Sequence, residues 1–401
     1  MSLAGRGGPL AGLRVVELTR VWAGPYAGKQ LAFLGAEVIK VESLGSLDAS
    51  RSYGKTTLAI SPGFRAVNPQ KLSVQMDMKT DQGRALVLRL LEKTDVVIEN
   101  LRPGAADRLG VGYEAVKAVN PGVVYVSMSM YGKEGPLSYQ TGYAPCFVAC
   151  GGLTYIVGYE NEPPTGMNIR YADSTFGAAA AYAAVVALMH RRRTGIGQFI
   201  DVSACETASS MIGDILMDHA LNGKVQACDG NRHPEMAPHG VYPCLGGAWI
   251  SIAAPDDGAW RALAETMDGP RLAGHPHFRS LADRKVHEPE LDRLISAWTA
   301  AQEAPKLARL LQSRGVPAAK SLDTVDLCSD EALWARGAYR TVSDAWEDSR
   351  PIVGPAWRMT GEAAIVRGGP ALGEHNAYVL GEILGLSPEE QQRLADSGAT
   401  R

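Results

Sequence analysis

The chain has little of what would assign it quickly. Its charge nearly cancels: 40 Lys and Arg against 43 Asp and Glu leave −3 over 401 residues. A surface of that balance gives no reason to expect a nucleic acid or an anionic membrane as partner. The six cysteines (Cys146, Cys150, Cys205, Cys228, Cys244 and Cys328) form no C-x-x-C pair, which argues against a zinc knuckle or a redox motif and for free thiols in a reducing cytoplasm. His233 and His239 flank a Pro-rich loop but lack a third ligand at metal-site spacing, so no metal is expected. The N-terminal Met-Ser-Leu-Ala-Gly-Arg-Gly-Gly has no apolar core of the signal-peptide kind. The longest uncharged run, Gly135 to Tyr159, is too rich in Gly, Pro, Ser, Thr and Gln for a membrane helix. Nucleotide fingerprints are missing too. The turn after the first strand, Val-Trp-Ala-Gly-Pro-Tyr-Ala-Gly, is not G-x-G-x-x-G, and Pro25 removes one of the N–H groups that would cradle a pyrophosphate. With no G-x-x-x-x-G-K-[ST] either, dinucleotide redox chemistry and phosphoryl transfer drop out.

What remains is an ordinary globular composition, 46% hydrophobic and 21% charged, in a chain long enough for two domains. Leu13 to Leu18 reads as a buried strand, the stretch to Leu34 as a helix closed by Gly35, and Glu37 to Glu42 as a second strand. That is a βαβ unit and implies a parallel sheet. Leu72–Asp77, Asp95–Glu99, Val123–Met128 and Gln198–Val202 extend the strands, with helices at Thr80–Glu92, Tyr113–Val119 and Glu206–Leu221 between or after them. The expected fold is α/β: a large, doubly wound, Rossmann-like domain. From Gly223 to His239 the chain turns polar, and beyond it a hairpin at Val241–Ile252 and helices at Gly258–Met267, Glu290–Ala300 and Glu303–Arg314 suggest a smaller α/β domain. The expected division is 1–222 for the large domain, 223–325 for the small one, and 326–401 as a return segment completing the first.

One stretch stands out. From Gly177 to Met189 there is no charge and no proline, and Ala dominates, so a helix is expected there, buried nearly all round. Asp173 and Ser174 stand at its mouth. Asp173 reads either as an N-cap or as a carboxylate nucleophile facing a cleft. Cys146 and Cys150, in a largely apolar run, read as core thiols. Arg191 to Arg193 end the helix, where cations suit its dipole.

Six blocks in order along the chain carry a family resemblance. They are Pro-Leu-Ala-Gly-Leu-Arg-Val-Val-Glu-Leu-Thr-Arg-Val-Trp-Ala-Gly-Pro (9–25), Leu-Gly-Ala-Glu-Val-Ile-Lys-Val-Glu (34–42), Met-Asp-Met-Lys-Thr (76–80), Val-Ile-Glu-Asn-Leu-Arg-Pro-Gly-Ala-Ala-Asp-Arg-Leu-Gly (97–110), Arg-Thr-Gly-Ile-Gly-Gln (193–198) and the segment from Leu372 to Ser387. Together they resemble the family III CoA-transferases, which include formyl-CoA transferase and the carnitine CoA-transferases. The resemblance implies an interlocked dimer, either of one chain or with a related subunit, that takes an acyl-CoA and a carboxylic acid as substrates. Coenzyme A is then a substrate moiety. Asp173 matches the family's catalytic residue. Val21, Ala23, Met78, Lys79, Asn100, Leu101 and Arg108 match positions along the CoA, while Trp22, Tyr143 and the Gly230 loop match the active-site wall. Ser43 replaces a basic residue that often follows the second strand.

The implied chemistry passes the acyl group's activation through the enzyme: an aspartyl anhydride, then an aspartyl-CoA thioester. Acyl-CoA racemases share the fold but need a His in a Gly-His-Asp motif, and here the matching residues are Gly142-Tyr143-Ala144, a poor base at neutral pH. A non-catalytic partner subunit would have no need of Asp173. The run from Gly230 to Cys244 further resembles the subunits of succinyl-CoA:(R)-benzylsuccinate CoA-transferase, which would place the chain in anaerobic aromatic degradation.

Overall fold

The computed structural model describes residues 5–52, 61–166 and 170–401. They divide into two compact units. The first comprises Met1–Thr154, Gly166–Val225 and Ala332–Arg401, the second Tyr155–Thr165 and Gln226–Glu331. Chain order alone would put 155–165 with the first unit. It belongs to the second, where Glu160 pairs with Arg232 at 2.6 Å and Gly158 O accepts the Gly230 N–H at 2.9 Å.

The first unit is built on six parallel strands: β1 (Arg14–Leu18), β2 (Glu37–Glu42), β3 (Lys71–Gln75), β4 (Val96–Glu99), β5 (Val124–Ser129) and β6 (Gln198–Ser203), in the order β3-β2-β1-β4-β5-β6. Val16 lies opposite Ile39 on one side and Val97 on the other. Strands of this kind are covered on both faces and so read as continuous Val/Ile runs. One face carries α2 (Asp81–Leu91), whose Leu86, Val87, Leu90 and Leu91 join Val16, Ile39, Leu72 and Val97 in one core. Against the sheet also pack α1 (Ala23–Phe33) and α3 (Tyr171–Thr194).

Helix α3 is the Ala-rich segment, and it is not buried all round. Ala180, Ala184 and Ala187, spaced i, i+4, i+7, are buried, while Tyr182, Val186 and Met189, spaced the same way, are 73%, 46% and 55% exposed. The small face is the one that meets α1: a Cβ on Gly177 would lie 2.4 Å from Ala23 O, so only glycine permits this approach. By length and composition α3 could cross a membrane, but its Ala stripe packs as a core helix does. Its far end is tied down by more than the dipole, since Arg191 pairs with Asp95 at 2.6 Å.

The expected helix 206–221 is two, Ala204–Ser210 and α4 (Gly213–Asn222). The return segment holds a hairpin absent from the sequence reading, β10 (Tyr339–Val342) against β11 (Arg350–Val353). In the second unit an antiparallel sheet of β7 (His239–Pro243), β8 (Trp249–Ala253) and β9 (Ala318–Lys320) packs on α5 (Asp257–Asp268), α6 (Glu288–Thr299) and α7 (Ala304–Ser313) around buried Trp260, Leu263, Leu291 and Leu311.

Candidate active site

A sheet in this strand order has its topological switch between β1 and β4, and a crevice opens there at the carboxyl ends of the strands. The structure has a cavity of about 720 Å³ at that place, a size typical of small-molecule sites. Its lining comes from the segments that leave the strands: Arg20 to Ala23 after β1, Ser43 and Ser46 after β2, Met76 to Lys79 after β3, Asn100 to Pro103 after β4, Met130 after β5 and Ala204 after β6. All belong to the first unit.

The segment between β1 and α1 is held by buried charge. Val21 has φ +70°, a conformation that costs a β-branched residue strain and persists only where the surroundings impose it. They do. Its N–H donates to Asp48 Oδ1 at 2.9 Å, Asp48 pairs with Lys40 Nζ at 2.9 Å, and Lys40 donates to Thr19 O at 2.8 Å. From the other side Asn100 clamps Arg20, accepting its N–H at 2.8 Å and donating to its carbonyl at 2.9 Å. Lys71, buried against Glu17 at 2.8 Å, also donates to Pro25 O at 2.8 Å and so pins the first turn of α1. Burial lowers Lys71 to about 8 despite Glu17. A Cβ on Gly28 would come within 2.1 Å of Glu17 Oε2, which explains a glycine inside this helix. Trp22, the residue before α1, is thereby presented to α3, where its Nε1 donates to Ser174 Oγ at 3.0 Å.

Asp173 lines the cavity from the first turn of α3. It is not the N-cap. Arg170 holds that position, and Asp173 is the third helical residue. Its carboxylate is partly buried and accepts no hydrogen bond among the described residues. A carboxylate in the capping position would have been held ionised by the free N–H groups. In its actual position burial pushes the Asp173 carboxyl upward, and the Arg170 guanidinium only partly opposes it. Arg170 is exposed, with its guanidinium carbon 4.7 Å from the centroid of the Trp22 ring.

Of the residues singled out from sequence, Val21, Trp22, Ala23, Met78, Lys79, Asn100, Leu101, Arg108, Tyr143 and Asp173 all line this one cavity. Gly230 lies in the second unit at φ +65°. Sequence reasoning missed Arg20, Arg102, Ser129 and Phe176, which line the cavity as well. Arg20 had a signal, being a cation in the turn directly after the first strand of a doubly wound sheet. Its guanidinium donates to Ser46 Oγ at 2.8 Å and to Ser46 O. Ser43 Oγ and Ser129 Oγ are buried with no hydrogen-bond partner among the described residues, so the cavity offers hydroxyls as well as cations. Cys146 and Cys150 are not core thiols: both are exposed, and Cys146 lines the cavity because its helix (Ala144–Cys150) starts at the rim.

No histidine is among the described lining residues, so α-proton abstraction by an imidazole has no base there. His233 and His239 stand 5.4 Å apart, ring to ring. A different trio, His277, His287 and Glu290 of the second unit, brings its ligand atoms within 4.8 Å of one another. The two imidazoles stack at 3.8 Å with planes 7° apart, and lone pairs in parallel planes do not converge on one ion.

Comparison with known proteins gives the family. The model of CoA-transferase family III matches residues 10–376. Over 385 residues the chain is 35% identical to a succinyl-CoA–D-citramalate CoA-transferase of Chloroflexus aurantiacus, covering 95% of this chain and 96% of that one. It is 32% identical to a succinate–glutarate CoA-transferase of Agrobacterium fabrum, over 94% and 96% of the two chains. Among solved structures, a CaiB/BaiF family protein from Brucella suis superposes with a TM-score of 0.87 at 32% identity, covering 94% of this chain and all of that one. This chain belongs to CoA-transferase family III and is a CoA-transferase.

Proposed function

We propose that this enzyme moves CoA from succinyl-CoA to a small dicarboxylic acid through covalent intermediates on Asp173. A carboxylate oxygen of Asp173 attacks the thioester carbonyl, the C–S bond breaks, and CoA leaves as the thiolate, giving a mixed anhydride. The thiolate attacks the Asp173 carbonyl, releasing the donor acid and leaving aspartyl-CoA. The acceptor carboxylate then displaces the thiolate to form a second anhydride, and thiolate attack on the acceptor's carbonyl frees Asp173. The observation that carries this reading is the state of Asp173: in the switch-point cavity, partly buried, and with no hydrogen-bond donor among the described residues to occupy its lone pairs.

The CoA phosphates and adenine lie along Val21, Ala23, Met78, Lys79, Asn100, Leu101 and Arg108, where Arg108 and Lys79 supply charge for the phosphates. The donor and the acceptor class follow the named substrates of the two curated relatives. An aromatic diacid such as (R)-benzylsuccinate belongs in the same screen, because Trp22, Tyr143 and Phe147 all line the cavity.

The working form is an interlocked dimer, of two copies or with a related chain, in the cytoplasm. Its support is the apolar surface this chain leaves bare. Helix α4 has no buried residue, with Leu216, Met217 and Leu221 exposed, and α3 exposes Tyr182, Val186 and Met189. Such patches mark interfaces.

To test the mechanism, the enzyme is incubated with succinyl-CoA and quenched with hydroxylamine. Mass spectrometry should find the hydroxamate on Asp173, and Asp173→Ala should lose both the adduct and transfer. Full transfer by that variant would sink the mechanism.

A further inference from the structure

Arg170 is a cation that the described residues leave without an ion pair. It stands at the N-cap of α3 with an exposed side chain, and no carboxylate pairs with it among the described residues. Its placement is nonetheless defined: the guanidinium sits over the ring of Trp22, 4.7 Å from the centroid, and Trp22 is itself fixed by its bond to Ser174. A cation over a ring engages the π face and spends no hydrogen bond there. Among the described residues no acceptor occupies the five N–H donors of the planar fork, whose geometry suits a carboxylate.

Arg170 borders the cavity through Trp22, which lines it, and the cations of the lining itself are committed or stand elsewhere. Arg20 donates to Ser46 and Lys79 donates to Gly45 O, and Arg102 and Arg108 follow β4. Arg170 comes three residues before Asp173, and residues so spaced on a helix are neighbours, about 5–6 Å apart at Cβ. Its field reaches the Asp173 carboxyl, the one charged group that opposes the effect of burial there. A substrate acid whose first carboxylate meets Asp173 and whose chain continues through two or three methylenes would bring a second carboxylate to about this distance.

We propose that Arg170 is the specificity residue of the site, binding the distal carboxylate of a dicarboxylic substrate while its proximal carbonyl reacts at Asp173. The assignment rests on the covalent reading above and deepens it. Trp22 acts as the platform that holds the guanidinium in place. A monocarboxylic acid of equal length leaves Arg170 unpaired and gains nothing from it.

The experiment compares acceptor kcat/KM for glutarate and for valerate, which have the same carbon number, in wild type, Arg170→Met and Arg170→Lys. In a ping-pong reaction this constant is independent of the succinyl-CoA donor. Loss of one charge-assisted bidentate pair should lower the glutarate-to-valerate ratio about 10- to 100-fold in Arg170→Met. Arg170→Lys, which keeps the charge and loses the fork, should fall between. Thermal midpoints equal to wild type show that the fold is intact, as expected for an exposed side chain. Equal loss for both acids, with an upward shift of the acid limb of the pH profile, would mean that Arg170 acts only through Asp173 and would overturn the assignment. An unchanged ratio would overturn it too. Wild type that turns over both acids but forms no Asp173 adduct would instead refute the covalent reading, and the assignment with it.

Discussion

Replacing Asp48 with Asn tests how far the cavity depends on buried charge it does not itself display. Asp48 is wholly buried. Burial alone would raise its carboxyl, but Lys40, the Val21 N–H and the Ser50 hydroxyl outweigh that and hold it at about 2. Against an ordinary Asp of about 3.9 the gap of about two units corresponds to about 2–3 kcal/mol. Asp48→Asn keeps the shape and leaves an oxygen for the Val21 N–H. It takes from Lys40 its nearest anion, leaving Glu17 at 3.6 Å. Breaking a buried pair in this way costs about 3–5 kcal/mol, so a loss of about 3 kcal/mol is expected at pH 7.

The sign of the pH dependence follows from the depressed value. The contribution is fully present above about pH 4, falls to about half near pH 3 and is gone once pH drops through about 2. Urea unfolding at pH 7 and pH 3 reads this directly: the gap between wild type and variant should roughly halve. Because the acceptor that restrains Val21 is then uncharged and no longer anchored by the Lys40 pair, KM for succinyl-CoA should rise more than kcat falls. A variant within about 0.5 kcal/mol of wild type at pH 7, or a gap that does not change with pH, would show that the network does not hold the loop as argued.

Three further outcomes are expected. With the Asp173 carboxyl raised by burial, the acid limb of donor kcat/KM should lie above the ordinary aspartate range, and Arg170→Met should move it higher still; a limb at or below about 3.9 would contradict the burial argument. Gly177→Val puts carbon 2.4 Å from Ala23 O, so the α1–α3 contact should open and the protein lose several kcal/mol or fail to accumulate, as measured by soluble yield and thermal midpoint. Leu216→Glu with Leu221→Glu should leave a folded monomer by light scattering if α4 is an interface, whereas an unchanged mass would place the interface elsewhere.

The parallel sheet was legible because each strand is short, β-branched and followed by a helix of clear period, as in Arg14–Leu18 and Glu37–Glu42. Once the strand order is fixed the crevice has one place to be, and the segments quoted for their family likeness are those leaving the strands there. Other features were not readable. An Ala-rich run says that a helix can approach its neighbours closely but not on how many sides, so the exposed stripe of Tyr182, Val186 and Met189 went unseen. The exact start of α3 depends on backbone geometry at Arg170, and a shift of three residues turned an expected cap into a residue of the first turn. The strained Val21 and its tether to Asp48 join positions 27 apart, a pairing that no local pattern encodes. Cys146 looked apolar by its neighbours, yet it lies on the first turns of a short helix at the rim.

That shift of three residues bears on the chemistry proposed for Asp173. In the mixed anhydride the thiolate meets two carbonyls, and which carboxylate is expelled depends on how basic each is. An Asp at the N-cap, accepting backbone N–H groups, would be held well below the ordinary 3.9. It would be the better leaving group at every turn, the thiolate would return to the substrate carbonyl, and the anhydride would collapse to the donor rather than go on to aspartyl-CoA. Transfer in both halves needs an enzyme carboxylate about as basic as the acids it exchanges, near the 4.3 of a simple alkyl carboxyl such as the Glu side chain. Burial moves Asp173 in that direction, and Arg170, one turn away, opposes the rise. The third position of the helix is therefore a better seat for this nucleophile than the cap would have been.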